Sequence, residues 1–578
     1  MVILCVCLAS IFSLHVSSDK IMGIPTALSI EFKTNNAYAT PCTEDLPTPQ
    51  PVTDSDLDKT YDAVIIGAGV AGLEAAHQLH LKGIDDIVIL EKNDRIGGRV
   101  WSVDHEGTCI EEGGSWIHGG VGISDVNLNP LFKIANKYQI LTKQTDLSSA
   151  VIRDSDGMKY DDTTEKIWNN FTAHVKMRTD DFDNALAENN LKYFVDEYYK
   201  KHYENANKIE KAMFNFAVFS WAEFDQVADA DDISVNSLDA SQYFENDDDN
   251  EVIFADGYDQ IVKVLSEGLE NKIKHATVTH VDYSKQPVLV TTDQDTTFKG
   301  KYVISTLPLG VMKNKAVKFN PTFESSMPDK ALAIDTLMNG TMDKYFLIFK
   351  TQTPFWIDDI DKDWIFRLPD NGTDKSWLAF FNMYKYTEQP ILLAFNVGNS
   401  TIKLENEDDS TIKKDVMAKL GKMYDQTIPE PELIRTTYAK DPSFYGSYSF
   451  VSAGGNRDSY QNLAVPLNQR LFFAGEATLY HYIGTVHGAY ISGYTVAQEI
   501  QALEGKVDSP LTQLKNGVEP EDIICKGINF EENYKLWGKI IDGKFSNPVC
   551  VSVDTSDRTA NWNWWQKYNG PGTTFPWW

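Results

Sequence analysis

Positive charge is scarce in this sequence: its 578 residues carry 53 Lys and Arg against 83 Asp and Glu, a net charge of −30. Nucleic acid demands a basic face, so that class of partner is excluded. A negative field instead suits a cationic substrate, and it also keeps a protein soluble. Long apolar runs are as scarce. Residues 2–16 (VILCVCLASIFSLHV), closed by Ser17-Ser18, are too short to span a bilayer and have the length of a signal-peptide core, a membrane anchor being the alternative. No other run is long enough to span, so the mature chain is expected to lack a membrane segment. Cysteine is sparse at six. Removing the leader leaves Cys42, Cys109, Cys525 and Cys550, which allow two disulfides; Cys525 with Cys550 is the favoured pair, because both lie in the same C-terminal appendage. N-x-S/T triplets begin at Asn170, Asn339, Asn371 and Asn399. With the leader they favour the secretory route, to the lumen or outside the cell.

What is present is a globular composition, 42% hydrophobic and 24% charged, long enough for more than one domain. Residues 1–18 read as leader and 19–60, polar and proline-bearing, as linker. From Tyr61 the pattern becomes strand, glycine turn, helix, strand. Apolar spacing from Thr163 to Phe224 is helical. The acidic run Asn246 to Glu251 reads as a solvated loop. An α/β architecture of two domains follows, its nucleotide-binding part assembled from 61–154, 252–310 and 446–502, and a mixed-sheet substrate part from 155–251 and 311–445. Residues 503–578 form an appendage with Trp562, Trp564, Trp565, Trp577 and Trp578 crowded at its end.

Val64-Ile65-Ile66 lead into Gly67-Ala68-Gly69-Val70-Ala71-Gly72 and a helix. Gly67 makes the tight turn, Gly69 lets backbone approach a pyrophosphate, and Gly72 permits close helix–strand packing, with phosphates at the helix N-terminus. The next strand ends at Glu91, whose carboxylate can accept ribose hydroxyls. Arg95-Ile96-Gly97-Gly98-Arg99 then offers two glycines for backbone contact, Gly98 among them, and a guanidinium, Arg99, for pyrophosphate oxygens.

Three blocks carry a resemblance to the flavin-containing amine oxidase family: YDAVIIGAGVAGLEAA…VILEKNDRIGGRV, GTCIEEGGSWIHG and LFFAGEATLYHYIGTVHGAYISG. The likeness runs from about residue 61 to 502. It implies a Rossmann-like FAD-binding domain and FAD as cofactor. It places Glu476 at the ribityl–pyrophosphate region, Val278 at the adenine edge, and Gly114, Ser115 and Trp116 along the isoalloxazine. Thr485 and Val486 would put helix N-terminal N–H groups near a flavin carbonyl, where a helix terminus stabilises negative charge. The stretch Tyr445-Gly446-Ser447-Tyr448 has no cysteine, so the FAD is expected to be held without a covalent link.

The family's reaction removes two electrons and a proton from a C–N bond, giving an imine that water hydrolyses, with O2 reduced to hydrogen peroxide. The resemblance implies Lys344 over the flavin, a lysine whose pKa falls in a dry pocket, with Lys350 the other candidate. His118 is similar to the histidine of polyamine oxidases of the animal type, and as a neutral imidazole would accept from a substrate nitrogen. Tyr448 matches one half of an aromatic pair that brackets the amine; the other half is Thr485 here. Glu223, near Trp221, is a candidate for the distal ammonium. A small-molecule polyamine and O2 are therefore the expected partners. The alternatives are an L-amino-acid oxidase, for which no arginine follows the Gly-Ser-Trp-Ile-His stretch until Arg153, a monoamine oxidase, or a secreted flavin-binding interaction protein without turnover.

Overall fold

In the computed structural model the described residues are 42, 46–119, 129–178, 190–235, 251–370, 374–455 and 457–507, with the backbone of two further strands, Tyr534–Ile541 and Lys544–Ser552. The strand Thr60–Ile66 (β1) is buried from Ala63 onward. A strand apolar on both faces belongs in the interior of a covered parallel sheet. β1 is flanked in parallel by Ile87–Glu91 (β2) and by Thr297–Ser305. In spatial order the sheet runs Ile273–His275, β2, β1, Thr297–Ser305, Val288–Thr292, Val278–Asp282 and Lys318–Asn320, with Leu471–Phe473 also paired to Thr297–Ser305. The helices Val70–Leu81 (α1) and Val486–Leu503 (α2) share its hydrophobic core. They meet closely enough that a Cβ at Gly493 would lie 2.2 Å from the Ala71 carbonyl.

Between these elements the hairpin Ser102–His105 with Thr108–Glu111 (β3) leads to Trp116–Ile117 (β4), which pairs with Glu251–Phe254 (β5). A second sheet has the order Glu432–Arg435, Met342–Ile348 (β6), Ile391–Val397, Ala379–Asn382, Trp364–Arg367, Ala150–Arg153 and Lys159–Tyr160. Thr164–Arg178, Leu191–His202 and Lys208–Val218 supply the helical insertion, packed on Phe171, Phe194 and Phe214. No helix among the described residues is long and apolar enough to cross a membrane.

The two-sheet α/β architecture agrees with the sequence reading; several boundaries differ. Ala150–Arg153 joins the second sheet, parallel to Trp364–Arg367, and Lys318–Asn320 joins the first, parallel to Val278–Asp282. Strands of three or four residues carry too little alternation to reveal their sheet. The end of the supposed linker is ordered: Gln50 exchanges backbone hydrogen bonds with Ile273 and His275. Glu251 is not solvated loop but a buried strand residue. Asn170 and Asn399 are exposed. Asn339, by contrast, points its amide inward, donating from Nδ2 to Tyr445 O at 2.8 Å and Phe444 O at 3.3 Å. That nitrogen is the one a glycan would need, so the folded chain presents no acceptor there. The leader, Asn371, Cys525 and the tryptophan-rich end lie outside the described residues.

Cys42 and Cys109 form a disulfide with Cα atoms 5.8 Å apart across 67 residues. This is the pair that the expected Cys525–Cys550 link leaves over, brought together because the chain before β1 returns to the Ser102–Glu111 hairpin; Cys525 itself lies outside the described residues. A link closing so long a loop stabilises by about 2–4 kcal/mol. Cys42→Ser is expected to lower the urea midpoint accordingly. Peptide mapping without reductant should recover Cys42 joined to Cys109; a Cys109–Cys550 peptide would refute the pairing.

Candidate active site

One continuous cavity runs from the glycine turn after β1 to the amine of Lys344 on β6. Its first wall follows from steric limits. Gly67 adopts φ +101°, and a Cβ at Gly72 would sit 2.1 Å from the Gly67 carbonyl. Gly69 and Gly98 face each other, with a Cβ at Gly98 3.2 Å from Gly69 Cα. Only glycine leaves this floor open to a bulky ligand. Glu91, at the end of β2, lines the cavity and accepts the Ala68 N–H at 2.7 Å and the Asn93 N–H at 2.9 Å. Burial pushes its pKa up against those two hydrogen bonds. Each carboxylate oxygen keeps a second lone pair for a ribose hydroxyl. Val278 lines the same end.

The middle is held by an ion pair. Arg99 Nη1 donates to Glu476 Oε1 and to Ser447 O, both at 2.9 Å. Glu476 Oε2 accepts from the Ser449 hydroxyl at 2.6 Å and the Gly484 N–H at 3.1 Å. Arg99 and Glu476 both line the cavity, a charged pair on its wall whose members hold each other in place.

At the far end, Lys344 alternates inward on β6 and is 7% exposed. Its Nζ donates to Glu111 O at 2.8 Å, to Gly113 O, and to Ser115 Oγ at 2.5 Å. Burial pulls its pKa down to about 8, against the nearby Glu111 and Glu112 carboxylates, which favour the charged form. Lys350 is 66% exposed and pairs with Glu432 at 3.0 Å, so the structure separates the two candidate lysines. Gly114, Thr485 and Val486 also line the cavity; Thr485 caps α2 by accepting the Gly488 N–H at 2.9 Å. Tyr448 lines it as well, its ring against Gly484 and its hydroxyl donating to Asp225 O at 3.1 Å.

Trp116, on β4, and His118, in the turn that follows it, are not among the residues lining the cavity. Trp116 stacks on Trp364 at 5.9 Å and donates from Nε1 to Thr145 Oγ1 at 3.2 Å, so it serves an aromatic cluster rather than the cavity lining. His118 Nδ1 is 2.7 Å from Glu251 Oε2. Burial pulls the imidazole down, but the charge and hydrogen bond of Glu251, with Asp225 nearby, outweigh it and leave the pKa raised. The neutral acceptor expected from sequence is thus replaced by an acid–imidazole pair that favours the protonated ring. Glu223, the candidate for a distal ammonium, has a cation of the protein beside it: its carboxylate is 2.5 Å from Lys375 Nζ and accepts the Ala230 N–H at 2.9 Å.

Sequence reasoning missed Glu251 and Glu111. The signal for the first was the short apolar run Val252-Ile253-Phe254, β-branched and aromatic, which reads as a strand once the acidic run before it is set aside.

The family model described as "Flavin containing amine oxidoreductase" matches residues 70–501. Lysine-specific histone demethylase 2 of Homo sapiens is 29% identical over 466 residues, covering 77% of this chain and 54% of that protein. This chain therefore spans about half the length of that relative. Polyamine oxidase 5 of Oryza sativa subsp. japonica is 28% identical over 456 residues, covering 75% of this chain and 87% of that protein. Polyamine oxidase 2 of Arabidopsis thaliana is 26% identical over 453 residues, with 76% and 88% covered. A solved structure of a putrescine oxidase double mutant, redesigned in its cofactor binding, shares the fold at a TM-score of 0.62 and 18% identity, covering 77% of this chain and all of that one (100%).

Gly72→Ala tests the cavity floor. The variant is expected to purify without its flavin, measured as flavin absorbance per mole of chain; wild-type stoichiometry in that variant would show that the close approach at Gly67 is not required.

Proposed function

We propose that this chain, which belongs to the flavin containing amine oxidoreductase family, is a secreted oxidase of polyamines. Its cofactor is FAD held without a covalent bond, and the glycine floor, Glu91, Val278 and the Arg99–Glu476 pair fit that group. FAD, when bound, supplies the two-electron acceptor; the reaction takes an amine at a C–N bond to an imine that water hydrolyses, with O2 going to hydrogen peroxide. The protein's own part is positional and electrostatic. Tyr448 walls the cavity with an aromatic face that attracts a cation and excludes water. Lys344, poised near neutral pH, holds or releases a proton at Nζ on the cavity wall.

The observation that carries the polyamine reading is the pairing of His118 with Glu251 beside Asp225. This end carries carboxylates and, from Gly114 to His118, no arginine. A substrate carboxylate is repelled there, which disfavours an L-amino acid; an aliphatic chain with a second ammonium is attracted. The near-full coverage of the polyamine oxidases, 87% and 88%, supports the same choice. The Cys42–Cys109 disulfide supports an oxidising compartment, as do the leader and the triplets at Asn170 and Asn399.

Peroxide release decides the substrate. Spermine, spermidine or their acetyl forms are expected to give peroxide well above benzylamine and leucine. Peroxide with leucine alone would end the polyamine claim, and peroxide with an N-methyl-lysine peptide alone would move the substrate toward that of the demethylase relatives. Glu251→Gln is expected to raise KM for a polyamine roughly tenfold, on the order of 1.4 kcal/mol, with flavin content unchanged. An unaltered KM would remove Glu251 from substrate binding.

A further inference from the structure

The amine of Lys344 is surrounded by oxygens of two kinds. Two are the backbone carbonyls of Glu111, at 2.8 Å, and Gly113, and a carbonyl only accepts. The third is the Ser115 hydroxyl at 2.5 Å, which both accepts and donates. Both side chains are buried, and Lys344 rather than Ser115 lines the cavity. An ammonium presents three N–H groups, and all three find acceptors here. A neutral amine presents two N–H groups and a lone pair. The carbonyls take the two N–H groups; the lone pair then needs an O–H, and Ser115 carries one.

We propose that Ser115 is a positioning residue that lets Lys344 lose and regain a proton without leaving a buried polar atom unpaired. Its hydroxyl accepts from the ammonium and, after rotation about its C–O bond, donates to the amine. The ammonium turns about its Cε–Nζ bond to bring one N–H toward the cavity that Lys344 lines, that proton passes to water there, and the amine then settles with its lone pair toward the Ser115 hydroxyl, which keeps its own proton throughout. The inference rests on the reading of Lys344 as the lysine beside the flavin.

Both forms need partners because Lys344, brought down to about 8 chiefly by burial, passes from one to the other around that pH. The charged groups facing it are Glu111 and Glu112. Glu111 accepts from the Tyr258 N–H and the Ser102 hydroxyl, each at 2.8 Å, and has Asp259 beside it. Glu112 feels Arg95, and its carbonyl takes the Tyr438 hydroxyl at 3.1 Å. None of these groups supplies an O–H to Nζ in place of Ser115.

The test is the visible spectrum of the flavin in the purified holoenzyme, titrated with pH. A charge appearing beside the ring shifts its absorbance, so wild type should show a step that Lys344→Met abolishes. Ser115→Ala removes an acceptor from a charged N–H and a donor from a lone pair. The first loss is the larger, so the neutral amine gains and the step moves down by roughly one pH unit. Ser115→Thr, which keeps the hydroxyl, should return the step to the wild-type pH, and the pH profile of peroxide release should move in parallel. If Ser115→Ala loses its flavin, Ser115→Cys, with its weaker donor, should still show a smaller downward shift. An unmoved step in Ser115→Ala or Ser115→Cys overturns the proposal, as does a step that survives in Lys344→Met. A wild-type protein that takes up no flavin overturns the functional reading instead, and does so before any titration.

Discussion

A lysine cannot be buried without partners, and that constraint organises the centre of this molecule. The acceptors for Lys344 come from one short stretch, residues 111–115, whose path is fixed on both sides. A Cβ at Gly113 would lie 2.2 Å from Arg99 O, and one at Gly114 would lie 2.9 Å from Val486 Cγ2. Behind Lys344, the neighbouring Asp343 alternates to the opposite face of β6. Its carboxylate accepts from Thr436 at 2.8 Å, from Thr401 at 3.0 Å and from the Tyr438 N–H at 2.9 Å. Strand β6 is therefore pinned through both faces, and the Lys344 amine ties the second sheet to residues 111–115, with the Tyr438 hydroxyl on Glu112 O beside it.

The Arg99–Glu476 pair does the same work for distant parts of the sequence. It joins the turn after β2 to the segment that precedes α2, 377 residues along the chain. With Ser447, Ser449 and Gly484 attached to the same two side chains, the first and third sequence blocks are brought to one cavity wall. The guanidinium reserved on sequence grounds for a phosphate is thus engaged first by a carboxylate, which fixes its direction.

Much of this was legible in the residues. Close backbone contact excludes every side chain at Gly72, so the glycine pattern announces β1, α1 and the nucleotide end without reference to anything distant. Helical spacing likewise announced the insertion from Thr163 onward. What stayed hidden depends on partners far along the chain. Glu223 reads as a substrate carboxylate until Lys375 is seen against it. His118 reads as neutral until β5 brings Glu251 within 2.7 Å. Trp116 reads as a flavin neighbour until Trp364 stacks on it. In each case the residue type was informative about polarity and silent about which neighbour would claim it.

The inward amide of Asn339 has a consequence for making the protein. The segment it holds, through Phe444 and Tyr445, belongs to the wall that carries Tyr438, Pro442 and Ser443 into the cavity. Sugar transfer in a secretory host acts on the nascent chain, before Nδ2 has found those carbonyls. A molecule modified at that triplet would be unable to close this wall, so folding and modification compete for the same nitrogen. Yield of the flavin-loaded form then depends on which event comes first, and a host that leaves the triplet bare removes the contest.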